Sequence, residues 1–205
     1  MKVGFYDTET LRDPSKTGWD NYRRMGMSVG CVVAVEGDFK EDRMNGKVFK
    51  PKVERKSFTK ATAMVKYMNG LDLVVGFNSE GFDDNLLCAL AGKDQEFLFH
   101  TFDVMKDLEN ITGIKYITGL DSLATETVNA SKPEDVDGSM AFILWEQGEY
   151  KKVTDYCFND CDILAEVFIF GVLNGYVLVK PNKGDIFGNM VIKVPVNWNE
   201  IITNN

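Results

Sequence analysis

Histidine is almost absent from this chain: of 205 residues only His100 carries an imidazole. Zinc sites of the Cys₂His₂ or HExxH kind are therefore excluded, and any Ser-His-Asp triad would have to use His100. Cysteine is also sparse, at Cys31, Cys88, Cys157 and Cys161, and no two are spaced as CxxC. Three of the four sit in apolar runs, which predicts reduced, buried thiols of an intracellular protein. Cys157 and Cys161 are placed to face one another on a helix, but two ligands do not make a zinc site. No apolar run approaches the length of a membrane span, and the start Met1-Lys2-Val3-Gly4 has no signal-peptide organisation. The expectation is a soluble, cytoplasmic protein with no membrane partner. Positive charge is in deficit as well. Lys and Arg number 23 against 31 Asp and Glu, a net −8, which argues against broad, non-specific coating of phosphates. It does not exclude nucleic acid handled locally, because carboxylates face phosphates when metal ions lie between them. Internal repeats and low-complexity segments are missing too.

The remaining composition is that of a globular domain, with 44% hydrophobic residues, and the length suits one domain with an ample core. Val3 to Tyr6 reads as a buried strand, and Arg12 to Arg24 as a polar loop punctuated by Pro14, Gly18 and Asn21. Ser28 to Val35 is strand-like, Gly37-Asp38 marks a turn, and Lys47 to Lys50 continues as the next strand. Thr59 to Met68 has helical spacing and stops at Gly70. Alternation follows: strand Leu71 to Gly76, helix Asp83 to Leu90, strand Phe97 to Phe102, helix Val104 to Ile111. Met140 to Trp145 reads as helical, and Val153 to Val172 as a long helix. Tyr176 to Lys180 and Met190 to Val196 return to strand. Antiparallel strands first and β-α alternation later predict an α/β domain on a mixed sheet.

Three acidic sites carry chemistry. Asp7 and Glu9 flank Thr8, and strand geometry puts both carboxylates on one face, about 6.5 Å apart along the strand. Such a pair repels unless a cation lies between or one group is protonated, and magnesium suits an all-oxygen site. The plain alternative is a solvated loop start. Asn78 to Asp83 leads from the end of a core strand into a helix, where ligands of open α/β sheets gather. There the alternatives are a helix cap for Asp83 or Asp84 and a turn residue for Asn78. Tyr156 and Asp160 lie four apart on one helix face, while Asp162 is about 200° around the axis from Asp160. Read singly, Tyr156 is core and Asp160 a solvated helix residue.

In order along the chain, Tyr6-Asp7-Thr8-Glu9-Thr10, Asn78-Ser79-Glu80-Gly81-Phe82-Asp83 and Tyr156-x-x-x-Asp160 resemble the three motifs of the DnaQ-like, or DEDD, 3′–5′ exonucleases. The last two look most like the proofreading domain of family B DNA polymerases and its free-standing relatives. Gly119-Leu120-Asp121-Ser122-Leu123-Ala124, through Trp145 to Tyr156-Cys157, extends the resemblance, which covers about Val3 to Val179. It implies a ribonuclease H-like fold in one domain, residues 1–180, with a strand-like extension, 181–205, packed on it. It assigns metal binding to Asp7, Glu9, Asp83 and Asp160, and the fifth catalytic position to Tyr156. Asp155 stands where another branch has histidine, so the tyrosine branch is implied. The cofactors would be two divalent ions, Mg²⁺ or Mn²⁺. Asp7 would bridge them, Glu9 and Asp160 would complete one site, Asp83 would serve the second, and Tyr156 would orient the attacking water.

The implied reaction releases nucleoside 5′-monophosphates from the 3′ end of a single strand, DNA being favoured over RNA. Thr8, Thr10, Asn78 and Phe82 are the candidate substrate contacts, with Phe77 or Phe82 offering a stacking face. Lys16, Arg23 and Arg24 beside Trp19 and Tyr22 suit a single strand or form a solvated loop. Lys50-Pro51-Lys52 and Arg55-Lys56 read as solvated. A polymerase, helicase or other replication or repair protein would act in trans. The alternatives are a structure-selective endonuclease of the same superfamily and a non-catalytic nucleic-acid-binding domain.

Overall fold

The computed structural model describes residues 1–37, 51–92, 101–131, 138–182 and 190–204. Asp38, the expected strand Lys47 to Lys50, residues 97–100 of the expected fifth strand and His100 lie outside them.

Five strands form one mixed sheet: β1 (Lys2–Thr10), β2 (Met27–Glu36), β3 (Lys52–Phe58), β4 (Leu73–Gly76) and β5 (Thr101–Asp103), in the order β3-β2-β1-β4-β5. The first three pair antiparallel, and β4 and β5 add in parallel to β1. The chain is therefore α/β with a single mixed five-stranded sheet flanked by helices. Strand β1 runs past the apolar stretch Val3–Tyr6 because its pairing with β2 continues to Thr10 opposite Met27, with a register shift between Glu9 and Thr10. Backbone pairing overrides the polar side chains, so the first acidic motif lies within a strand rather than at a loop.

The period of two sorts β1 between two cores. Val3 and Phe5 pack under the long helix α8 (Tyr150–Asn174), along with Leu123 and Ala124 of α6 (Leu120–Val128). Tyr6 packs on the opposite face with Met64 and Met68 of α3 (Ala61–Met68) and Leu86 and Leu87 of α4 (Asp83–Ala91). On the first face Phe5 meets Phe168 edge-on, with ring centroids 5.7 Å apart. Helix α5 (Val104–Thr112) follows β5, and α7 (Ala141–Glu146) follows a 3₁₀ turn, Gly138–Met140.

The structure departs from the sequence reading at several points. The polar segment after β1 is not all loop: α1 (Pro14–Thr17) and α2 (Tyr22–Met25) are single turns. Asp13 caps α1 by accepting from the Ser15 N–H at 2.9 Å, and Pro14 follows where its missing N–H is harmless. Local propensity alone does not call for helix α6, because Thr125, Thr127 and Val128 are poor helix formers; burial of Leu123, Ala124 and Thr127 holds it. After β6 (Tyr176–Val179) the chain returns as β7 (Ile192–Pro195), antiparallel to it, then forms α9 (Trp198–Asn204) where no helix was expected. Trp198 decides this. Its ring stacks on Phe168 at 5.4 Å and fills the space left by Gly171, where a Cβ would stand 2.2 Å from the indole. Cys88 is exposed, contrary to the expectation of buried thiols, because it lies on the outer side of α4. Among the described residues no helix is long and apolar enough to cross a membrane.

Candidate metal centre

Asp7 and Glu9 continue the face of β1 that Val3 and Phe5 bury, so both point toward α8. Three small thiols set how closely that helix approaches. The Cys157 S–H donates to the Asp7 carbonyl at 3.4 Å, Cys161 to the Cys31 carbonyl at 3.5 Å, and Cys31 to the Thr154 carbonyl at 3.7 Å. Burial pushes the Cys157 and Cys161 thiols above their ordinary range, and the Cys157 thiol together with burial does the same to Cys31, so all three stay protonated donors. No larger side chain would let the helix sit so near the strand.

Seated this way, α8 brings Asp160 to the two strand carboxylates. Carboxylate oxygens of Asp7, Glu9 and Asp160 all lie within 4.8 Å of one another, with Glu9 and Asp160 buried and Asp7 partly so. Asp160 is thus not a solvated helix residue. Like charges at that separation repel by roughly 3 kcal/mol per pair at an effective dielectric near 20. An all-oxygen, multiply anionic donor set of this kind fits a hard divalent cation such as Mg²⁺ or Mn²⁺. Tyr156 precedes Asp160 by one turn and is buried; a Cβ on Gly138 would stand 3.3 Å from its hydroxyl. Asp162 faces away and pairs with Arg55 at 2.8 Å.

Asp83 approaches from the other side of β1. It opens α4 but does not cap it: the capping position is Phe82, which makes no side-chain cap bond. The Asp83 carboxylate instead accepts from the Thr8 hydroxyl. Burial, opposed by that hydroxyl and reinforced by Asp84, raises its pKa above the usual carboxylate range. Asp84 is occupied elsewhere, accepting from Tyr6 and, at 3.2 Å, from Thr101.

The loop from Asn78 to Phe82 is held by a residue the sequence reading passed over. Buried Asp103 accepts from the N–H groups of Asn78 at 2.9 Å, Glu80 at 3.0 Å and Lys106 at 3.1 Å, tying that loop to the start of α5. An aspartate between a strand and a helix was the available signal. Asn78 adopts φ +58°, which asparagine tolerates, and Gly81 leaves room where a Cβ would fall 2.7 Å from the Asn78 side-chain oxygen.

Two cavities open on the acidic cluster. One, of about 380 Å³, has Asp7, Thr8, Phe77, Asn78, Phe82, Asp83 and Asp160 in its wall, together with Tyr116, Thr118, Gly119 and Asn182. The other, of about 490 Å³, is walled by Thr8, Glu9, Thr10, Asp13, Trp19, Phe82 and Phe142. Thr8 and Phe82 belong to both, so all four candidate substrate contacts border the cleft. Neither of these two cavities has Tyr156 in its wall. Phe82 is braced by Trp19 and Tyr22, edge-on at 6.4 and 6.0 Å, and Trp19 itself is 66% exposed. Arg55 and Lys56 are exposed, as expected, and each is paired: Arg55 with Asp162 at 2.8 Å and Lys56 with Glu54 at 2.9 Å.

No protein-family model matches this chain, and no curated protein matches it. The functional reading therefore rests on the geometry and on the motifs.

Proposed function

We propose that the chain is a metal-dependent 3′–5′ exonuclease of the DnaQ-like, tyrosine-branch group, acting on the 3′ ends of single strands, DNA being favoured over RNA. One observation carries this reading. Asp7, Glu9 and Asp160, distant in sequence, bring carboxylate oxygens within 4.8 Å of one another, beside a cavity that Asp83 also lines. A mixed five-stranded sheet with helices on both faces is compatible with the ribonuclease H-like fold this implies.

Asp7 would be shared between two divalent ions, Glu9 and Asp160 would hold one of them, and Asp83 the other. When bound, such ions acidify a water and stabilise both the attacking and the leaving oxygen of an in-line phosphodiester displacement. The remaining work belongs to the protein. Thr8 fixes the Asp83 carboxylate, and Asp103 fixes the loop that presents Phe82 and Asn78. The motif alone assigns Tyr156 the orienting of that water, one helical turn from Asp160. Phe82 divides the cleft, the terminal nucleotide lying on the side of Asp7, Asp83 and Asp160 and the preceding one toward Trp19. A net charge of −8 gives little grip beyond these positions, so digestion is of low processivity unless a partner supplies basic surface.

The test is a pair of end-labelled single strands, one DNA and one RNA, incubated with Mg²⁺ or Mn²⁺. Mononucleotide release from the 3′ end is expected, lost in Asp7→Ala and in EDTA with the fold intact by circular dichroism. Full activity in either condition overturns the assignment. Cutting of a strand with a blocked 3′ end identifies an endonuclease instead.

A further inference from the structure

Tyr116 belongs to the wall of the cleft and has φ +51°, a left-handed conformation that a bulky side chain disfavours. The backbone is clamped there. The Tyr116 N–H donates to Glu109 Oε1 at 2.6 Å, its carbonyl accepts from Asn182 Nδ2 at 3.0 Å, and the Ile117 carbonyl accepts from the Asn182 N–H at 2.7 Å. Burial does not explain the residue, since Tyr116 is 63% exposed. Tyr116 belongs to the wall of the same cavity of about 380 Å³ that the acidic residues line, and to that of a neighbouring cavity of about 220 Å³ with Asn78, Glu80 and Lys106. Glycine or asparagine would relax this position, so the strain calls for a role of the ring itself.

Gly119, in the same wall, supplies a second, independent observation. With φ −92° and ψ 161° its backbone suits any residue, and a Cβ there would meet nothing within 4 Å. Gly119 is the N-cap of α6, where glycine is well tolerated but Ser, Thr, Asp or Asn would serve as well or better, and its missing side chain leaves open volume in this wall. The cavity falls in the size range of small-ligand pockets, about 300–1,000 Å³.

We infer that Tyr116 and the bare backbone at Gly119 form the seat of a nucleobase, which stacks on the Tyr116 ring while its sugar-phosphate reaches the acidic cluster. This rests on the nuclease reading of that cluster and adds that release depends on a base being present. Stacking on an aromatic face is tolerant of sequence, so any base serves and an abasic end does not.

The test measures binding of deoxyadenosine 5′-monophosphate and of deoxyribose 5-phosphate to the full chain in Mg²⁺, by calorimetry. The wild type should prefer the nucleotide by about tenfold. Tyr116→Gly should erase the preference while leaving Tm unchanged or higher, because it relieves the left-handed strain; Tyr116→Phe should retain it. Gly119→Asn, which keeps a good cap for α6, should weaken binding of the nucleotide without lowering Tm. On an oligonucleotide, Tyr116→Gly should raise KM about tenfold. Equal binding of the two ligands by the wild type, or an undiminished preference in Tyr116→Gly, overturns the seat. If strands are hydrolysed but KM is unmoved in Tyr116→Gly, the seat fails and the nuclease reading stands. If nothing is hydrolysed but the nucleotide preference depends on Tyr116, the nuclease reading fails and the seat stands.

Discussion

Replacing Asp160 by asparagine should stabilise the metal-free protein and abolish its response to metal. Three carboxylates within 4.8 Å of one another repel by roughly 3 kcal/mol per pair at an effective dielectric near 20. Asp160→Asn would remove two of those pairs while keeping the shape of the side chain. Asp7 is only partly buried, and without metal a proton taken up by the cluster relieves part of the repulsion, so a net gain of about 1–3 kcal/mol in EDTA is expected. For a domain of this size that is about 2–12 °C in Tm. Metal separates the two proteins in the opposite sense. Mn²⁺ at a hundred times its dissociation constant stabilises a binding fold by about 2.7 kcal/mol, raising the wild-type Tm by about 5–11 °C. The Asp160→Asn variant, with one anionic ligand fewer, should show little rise. Differential scanning fluorimetry of both proteins in EDTA and in Mn²⁺ tests this directly, and the two proteins should exchange order or converge between the buffers. A wild type indifferent to Mn²⁺, together with an Asp160→Asn variant less stable in EDTA, would refute the electrostatic argument and the metal centre with it.

Asp103→Ala removes an acceptor shared by three backbone N–H groups. It should cost about 2–4 kcal/mol in denaturant unfolding and depress hydrolysis more than Asp103→Asn does. Cys157→Leu inserts bulk where the thiol meets the Asp7 carbonyl, lifting α8 from β1; a loss of about 1–3 kcal/mol is expected, with Cys157→Ala milder and retaining metal response. Burial raises the Asp107 pKa against a hydrogen bond from Trp198 Nε1 at 2.7 Å that lowers it. A raised carboxyl pKa means the native state is penalised as pH climbs from the unfolded value, near 3.9, through the folded one. Asp107→Asn, which keeps an acceptor for Trp198, should therefore be more stable than wild type at pH 7 and equal to it near pH 3. An equal gain at both values would place the cause outside this titration.

Local pattern carried much of the architecture. The apolar runs at Val3, Ser28 and Leu71 become strands β1, β2 and β4, and the unbroken helical sequence around Val153–Val172 becomes α8, because period and propensity act within a few residues. The same local rules placed Asp7 and Glu9 on one strand face and turned Asp162 away from Asp160. They could not decide that α9 would form, since Trp198 is seated by Phe168 and Gly171 from a different helix. Nor could they separate a cap from a cleft residue at Asp83, whose partner Thr8 lies 75 positions away.

What the sequence by itself determined is the inventory: an acidic chain nearly without histidine, rich in carboxylates, with three motifs in a set order. Only the tertiary structure decided which of its 31 acidic residues come together. Thiols at Cys31, Cys157 and Cys161 let α8 settle against β1 and β2, and that packing distance sets the separation of Asp160 from Asp7 and Glu9. Repulsion among carboxylates is long-ranged and opposes the arrangement, whereas dispersion and apolar burial under α8 act over a few ångströms and impose it. Their balance exists only once the helix is on the sheet.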